Sequence, residues 1–137
     1  MAEQKAVAYY LGNRDGIKKY LANFKSEIEE RLRRIYNGFT RLKNEGLPVD
    51  AITPEAAIYL TIKIDLAGKK TTEGKVLETQ TDVTAYVLNA AGLAVVPFYA
   101  FGADRSSAWY RLSVGTCKKN EIEEMIGRLR EALKKLS

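Results

Sequence analysis

Arg111 is the residue in this sequence whose type and setting best suit ligand binding. It lies in a strand-like run from Ala108 to Val114, in which one set of alternate residues is apolar and suited to a core. Because successive side chains of a strand point to opposite faces, Arg111 shares a face with Trp109. Its planar guanidinium suits two-point recognition of a carboxylate. Spacing alone favours an ordinary surface arginine and does not decide between the two interpretations.

The rest of the sequence offers little catalytic chemistry. It has one cysteine, Cys117, and no histidine, which excludes an internal disulfide and removes the commonest metal ligand and general base. Isolated lysines such as Lys63 and Lys75 are more often solvated charges than desolvated nucleophiles. The sequence contains no glycine-rich phosphate loop that follows a strand. We therefore predict no catalytic residue and no metal site in this chain, and we interpret Cys117 as a small packing residue.

Composition and charge describe a soluble globular protein. The net charge is +5, but acidic and basic residues alternate at helical spacing between Lys25 and Arg34, which is typical of a solvated helix face. No basic run contains stacking aromatic residues, so nucleic acid is not an expected partner. No apolar run is long enough to span a membrane and the N-terminus lacks a signal-peptide core, which predicts a cytoplasmic protein.

The N-terminal third is predicted to be helical. A short helix over Ala2–Leu11 is followed by a turn with an N-cap at Asp15. From Ile17 to Leu42 apolar residues recur every three or four positions, and Gly46 supplies a stop. At 1.5 Å per residue this second helix would be about 45 Å long, more than a small domain needs for its own core. We expect it to bridge two bodies or to lie along a missing one.

The remaining segments alternate between strands and helices. We predict three strands, a polar excursion with a small hairpin around Gly68 to Gly74, a helix capped by Thr81 or Asp82, and a terminal helix opened by a capping box. The predicted strands are Ala57–Asp65, Leu93–Val96 and Ala108–Val114, the middle helix ends at Ala91, and the box pairs Asn120 with Glu123. This order predicts an α/β (α+β) fold, with a small, mostly antiparallel three-stranded sheet covered by helices.

Several segments, in the right order, resemble a known family. The segment from Asn89 to Gly102 reads NAAGLAVVPFYAFG, and Trp109 to Ser113 reads WYRLS. Together with Pro54–Leu60 and the two amphipathic helices, they resemble the C-terminal small domain of fold-type I, class I/II aminotransferases of the aspartate aminotransferase type. The resemblance covers essentially the whole chain from the long helix onward. It implies that residues 1–137 are this small domain, with 1–45 as the helical connection from a missing N-terminal cofactor domain.

The resemblance also implies a function. In that family the arginine of the RLS motif, here Arg111, binds the α-carboxylate of the substrate, and Tyr99 and Phe101 would line the entrance. The intact parent would use pyridoxal 5'-phosphate to transfer an amino group between an amino acid, aspartate-like or aromatic, and a 2-oxo acid, and would be a homodimer. The cofactor lysine belongs to the missing domain, so this chain alone is expected to bind no cofactor and to be inactive. Phe98, Tyr99 and Ala56 depart from the family pattern, which leaves the substrate side chain open.

Three alternatives remain. The chain could be a free-standing module that holds an acidic ligand on the face around Trp109 and Arg111. It could belong to a related pyridoxal-phosphate lyase or decarboxylase with the same architecture. A basic RNA-binding domain is disfavoured by the charge alternation.

Overall fold

The computed structural model describes residues 1–115 and 117–137. Four α-helices, four β-strands and two 3-10 turns follow one another along these residues. In chain order they are α1 (Ala2–Gly12), α2 (Arg14–Asn44), β1 (Val49–Ala51), β2 (Tyr59–Ile64), α3 (Gln80–Ala91), β3 (Val96–Pro97), a 3-10 turn (Phe98–Phe101), β4 (Trp109–Ser113), a 3-10 turn (Lys119–Glu121) and α4 (Ile122–Lys134).

The four strands form one antiparallel sheet in the order β1-β2-β4-β3. This confirms the α/β class and the antiparallel sheet, but the predicted count of three strands is wrong. The missed strand, β1, has only three residues and carries Asp50 at its centre, so it has no alternation to recognise. It forms because Val49–Ala51 pairs with Ile64–Ile62 of β2.

One face of the sheet is buried under three helices. Leu60, Ile62 and Tyr110 point to this face and are at most 1% exposed. The second half of α2 packs on β1 and β2, and α3 and α4 complete the layer. The apolar side chains of this layer form one continuous core. No helix of the described residues covers the other face of the sheet, so the side chains that alternate with the core set are displayed outward.

Helix α2 extends beyond the core that it helps to build. It has 31 residues, yet its buried positions begin only at Ile28. Leu21 and Phe24 lie on the same apolar stripe and are each 46% exposed, and α1 has no buried residue. The expectation that this helix exceeds the needs of its own domain is confirmed. In the described part of the chain, no helix combines the length and apolar composition needed to cross a bilayer.

Three of the predicted helix N-caps differ from those in the structure. The Asn13 side chain, and not Asp15, caps α2 by accepting a hydrogen bond of 3.0 Å from the Gly16 N–H. Helix α3 is capped two or three residues earlier than expected, because Thr79 and Asp82 form a reciprocal capping box. Helix α4 has no side-chain cap. Its first turn is preceded by the 3-10 turn at Lys119, whose ammonium binds Glu27 and Glu30 of α2.

The segment between β2 and α3 is the predicted polar excursion. A single antiparallel bridge joins Lys70 to Val76, and Gly68 and Gly74 supply the positive φ angles that its turns require. The backbone of Lys70 also exchanges hydrogen bonds of 3.0 and 3.1 Å with Ser137, so the chain terminus holds this turn in place. The predicted strand from Leu93 is displaced to Val96–Pro97, because Leu93 is instead buried in the core.

Gly38 marks the closest approach of α2 to α4. A Cβ at this position would lie 2.6 Å from both Cδ1 and Cγ1 of Ile126. Since isoleucine is β-branched and stiff, it cannot withdraw both atoms without repacking. Gly38→Ala is therefore expected to destabilise the chain by about 1 kcal/mol, because overpacking outweighs the gain in helix propensity. Urea unfolding followed by circular dichroism measures this change.

Gly127 of α4 provides a matched control. No atom lies within 4 Å of a Cβ built there, so Gly127→Ala should stabilise the chain by about 0.5–1 kcal/mol. Adding Ile126→Val, which removes the Cδ1 atom, should recover part of the loss caused by Gly38→Ala. Stabilisation by Gly38→Ala would contradict the close packing of α2 on α4.

Candidate functional site

The sheet register places Arg111 in the middle of the uncovered sheet face. Its strand, β4, lies between β2 and β3, and its Cα is paired with those of Thr61 and Val96. Its neighbours Tyr110 and Leu112 are 1% and 5% exposed on the core face. Burial raises the pKa of the Tyr110 hydroxyl to about 12. Because successive side chains of a strand alternate between its faces, the Arg111 side chain points to the outer face, as the sequence predicted.

The guanidinium of Arg111 lies against two aromatic rings. Its Cζ atom is 3.6 Å from the ring centroid of Tyr59 and 4.7 Å from that of Phe101. Both distances fall within the range in which the electron-rich face of an aromatic ring attracts a cation. The two rings come from different elements, since Tyr59 opens β2 and Phe101 ends the 3-10 turn after β3.

A structured loop brings Phe101 back over the sheet. Pro97 ends β3, the chain turns through Phe98–Phe101, and Gly102 reverses its direction at φ +90°. Beyond it, the Asp104 carboxylate accepts hydrogen bonds from the N–H and the hydroxyl of Ser106, at 2.7 and 2.6 Å, before β4 begins. The same two bonds lower the pKa of Asp104. The loop is therefore held by its own contacts.

Arg111 has no carboxylate partner among the described residues. Other arginines of this chain do have one: Arg41 binds Glu123 and Arg130 binds Glu45, each at 2.7 Å. A guanidinium that lies against aromatic rings, and whose N–H groups bind no acid among the described residues, is suited to an external anion.

The predicted lining residues separate into two groups. Phe101 contacts Arg111, as described above. Tyr99 does not share this contact, since its ring lies under the guanidinium of Arg105, with 5.4 Å between Cζ and the ring centroid. Trp109 shares the outer face with Arg111 and is paired with Lys63.

The contact of Tyr59 with Arg111 was not predicted from the sequence. Strand alternation placed it on the outer face of β2, but nothing in the sequence showed that β2 and β4 are neighbours. The register pairs Tyr59 with Ser113, two residue pairs from the pair formed by Thr61 and Arg111 and on the same face. This diagonal position brings its ring over the guanidinium.

The two lysines singled out from the sequence, Lys63 and Lys75, form ion pairs. Lys63 pairs with Asp65 at 3.5 Å and Lys75 with Asp82 at 2.8 Å, both near the surface. Burial, aided by Glu121, raises the pKa of the Cys117 thiol, which agrees with a packing role for this side chain. No cluster of three metal-ligating side chains occurs among the described residues.

A groove runs between α2 and the segment that leads into β2. It has a volume of about 890 Å³, and its walls combine exposed apolar residues of α2 with residues 53–58. Leu21, Phe24 and Ile28 form one wall and Ile58 contributes to the other. Within this segment Ala57 has a positive φ of 66°, which is uncommon for a residue with a side chain.

Comparison with known proteins gives consistent matches. Residues 2–129 match the family described as aminotransferase class I and II. The aspartate aminotransferase of Rhizobium meliloti is 33% identical over 138 residues, and a probable aspartate/prephenate aminotransferase of Rickettsia prowazekii is 29% identical over 133. These alignments cover 100% and 96% of this chain but only 31% and 30% of the relatives. The chain thus spans less than a third of their length.

Solved structures agree. A crystal structure of the Rhizobium meliloti aspartate aminotransferase matches with a TM-score of 0.72 and 32% identity, over 86% of this chain and 28% of that one. An aromatic aminotransferase from Pyrococcus horikoshii matches with a TM-score of 0.60 and 28% identity, over 85% and 27% of the two chains.

Proposed function

The chain belongs to the class I and II aminotransferases, and we propose that it is the C-terminal small domain of a pyridoxal-phosphate-dependent aminotransferase. In this proposal Arg111 binds the α-carboxylate of the substrate amino acid. The observation that carries it is the guanidinium in contact with Tyr59 and Phe101 without an acidic partner among the described residues. The likeness of this chain to an aspartate aminotransferase of Rhizobium meliloti supports an aspartate-like substrate, and its likeness to an aromatic aminotransferase of Pyrococcus horikoshii supports an aromatic one.

The role of Arg111 follows from the chemistry of its side chain. Two parallel N–H···O bonds fix the orientation of a bound carboxylate as well as its position. They would thereby orient the α-carbon of the substrate, which saves much of the entropy cost of reaching a reactive geometry. Bound pyridoxal phosphate supplies the electron sink for the amino-group transfer. This chain supplies the carboxylate-binding residue and not the cofactor lysine.

The uncovered surfaces support a missing partner domain. Helix α1 has no buried residue, and the first half of α2 exposes Leu21 and Phe24 beside the groove described above. We propose that a cofactor domain preceding this chain covers these residues and faces Arg111. By the same resemblance we propose that the intact protein is a homodimer, and we keep the cytoplasm as its proposed location.

The chain by itself is expected to form no covalent complex with pyridoxal phosphate. The reason is that Lys63 and Lys75 are paired with acids at the surface and lack a desolvated pocket. Mixing the purified chain with the aldehyde should give no stoichiometric absorbance band that borohydride reduces.

The same chain unfolded in urea is the control, because it shows the background reactivity of exposed lysines. Equal, low labelling of folded and unfolded chain supports the proposal. A stoichiometric band that disappears on unfolding would show a cofactor site within these 137 residues and overturn it.

A second candidate is a free-standing module that binds an acidic ligand on the same sheet face. The same unpaired guanidinium favours it, so the structure of Arg111 does not separate the two. The coding sequence upstream of Met1 distinguishes the two candidates. An in-frame extension longer than this chain supports the aminotransferase, and an in-frame stop codon supports the module.

A further inference from the structure

The stacking of Arg111 on Tyr59 differs from an ordinary surface contact. Only 3.6 Å separates Cζ from the ring centroid of Tyr59, which corresponds to direct van der Waals contact. Phe101 lies 4.7 Å away. Tyr59 is 38% exposed and lies on the outer face, so its ring fills no space in the core. Core packing therefore does not account for the position of this ring.

The sheet register fixes the geometry of this contact. Tyr59 and Arg111 lie on neighbouring strands, and their residue pairs are two apart along the ladder, so both side chains are on the same face; backbone pairing between β2 and β4 extends from Tyr59 to Lys63. The ring is thus attached to a rigid element, whereas Phe101 belongs to a loop. A long arginine side chain loses rotamer freedom when it binds a ligand. A ring on a rigid strand can restrict that freedom before the ligand arrives.

We propose that Tyr59 is a positioning residue, which holds the guanidinium plane of Arg111 so that its edge donors face a carboxylate. This inference rests on the proposed carboxylate role of Arg111 and deepens it. The ring, and not the hydroxyl, does the positioning, because the contact is made with the ring face. Tyr59→Phe should therefore preserve the effect, and Tyr59→Leu should remove it while keeping an apolar side chain.

NMR of the ¹⁵N-labelled chain tests the positioning directly. In the wild type and in Tyr59→Phe, the Nε–H group of Arg111 should be ordered and its Hδ protons shifted by the ring current. In Tyr59→Leu the order parameter should fall and the shift should shrink. Thr61→Val is the matched control, since Thr61 lies on the same strand and face and is paired with Arg111 itself. An Arg111 order parameter that is unchanged in Tyr59→Leu overturns the inference.

Titration with succinate, a dicarboxylate probe, separates this inference from the proposed function. Followed at the Arg111 Nε–H signal, binding should be about 3- to 10-fold weaker in Tyr59→Leu than in the wild type, and unchanged in Tyr59→Phe and Thr61→Val. Equal affinity in Tyr59→Leu would overturn the positioning role while the carboxylate role survives. If an ordered Arg111 shows no response to succinate in any variant, the carboxylate role fails and the ordering by Tyr59 stands.

Discussion

In the intact enzyme, Arg111→Ala is expected to lower kcat/KM for amino acids by about 30-fold to 5,000-fold. Truncating one partner of a desolvated, hydrogen-bonded charge pair costs about 2–5 kcal/mol, and each 1.36 kcal/mol is a factor of ten in rate. The loss includes the penalty of leaving the substrate carboxylate without its partner. Arg111→Lys keeps the charge but loses the planar fork, so its loss should be smaller.

Two controls sharpen this measurement. Arg41→Ala removes an arginine from an exposed ion pair on the helical layer, and it should leave kcat/KM unchanged. An amine that lacks the α-carboxylate gives the second control, because wild type and Arg111→Ala should process it at equal, low rates. An unchanged kcat/KM for amino acids in Arg111→Ala would assign the carboxylate to another residue.

The largest expected effect on stability belongs to Phe39. Its side chain is 0% exposed in the second half of α2, where this helix packs on the sheet and on α4. Phe39→Ala should lower the free energy of unfolding by about 3–5 kcal/mol, from lost burial together with the cavity left behind. That is a large share of the total stability of a small domain. Urea unfolding of the isolated chain measures it.

Phe24, on the same helix, is the matched control. Because it is 46% exposed, Phe24→Ala should change the free energy of unfolding by no more than about 0.5 kcal/mol. A loss as large as that of Phe39→Ala would contradict its exposure and would mean that another copy of the chain covers the first half of α2. Repeating the measurement at several protein concentrations distinguishes these cases.

The elements with a strong repeating pattern were predictable from the sequence. Helix α2 carries an apolar residue at every third or fourth position over most of its length, so its existence followed from periodicity. The two faces of β4 followed from alternation in the same way, which was enough to place Arg111 on the outer face. The resemblance of Trp109 to Ser113 to the family's RLS motif is the source of the proposed carboxylate role of Arg111, which no repeating pattern contains.

The missed features depend on contacts between distant segments. Strand β1 is too short to show alternation and exists because β2 offers it a partner. Two of the predicted N-caps lay two or three residues C-terminal to the observed ones. The reason is that the residues near Asn13 and Thr79 have a similar N-cap propensity. The stacking of Tyr59 on Arg111 required knowing that β2 pairs with β4, which the chain order alone does not reveal.

The pairing of β2 with β4 has a consequence for the order of folding. Helix α3, strand β3, the 3-10 turn after it and their connecting segments separate these strands along the chain, so their pairing requires the closure of a long loop. The helices and the α2–β1–β2 region are built from contacts between residues that are closer in sequence. They can therefore form before β2 pairs with β4. The aromatic ring and the guanidinium therefore meet only once this long loop has closed. A chain with native helices but unpaired central strands already has much of its secondary structure and still lacks the proposed anion site.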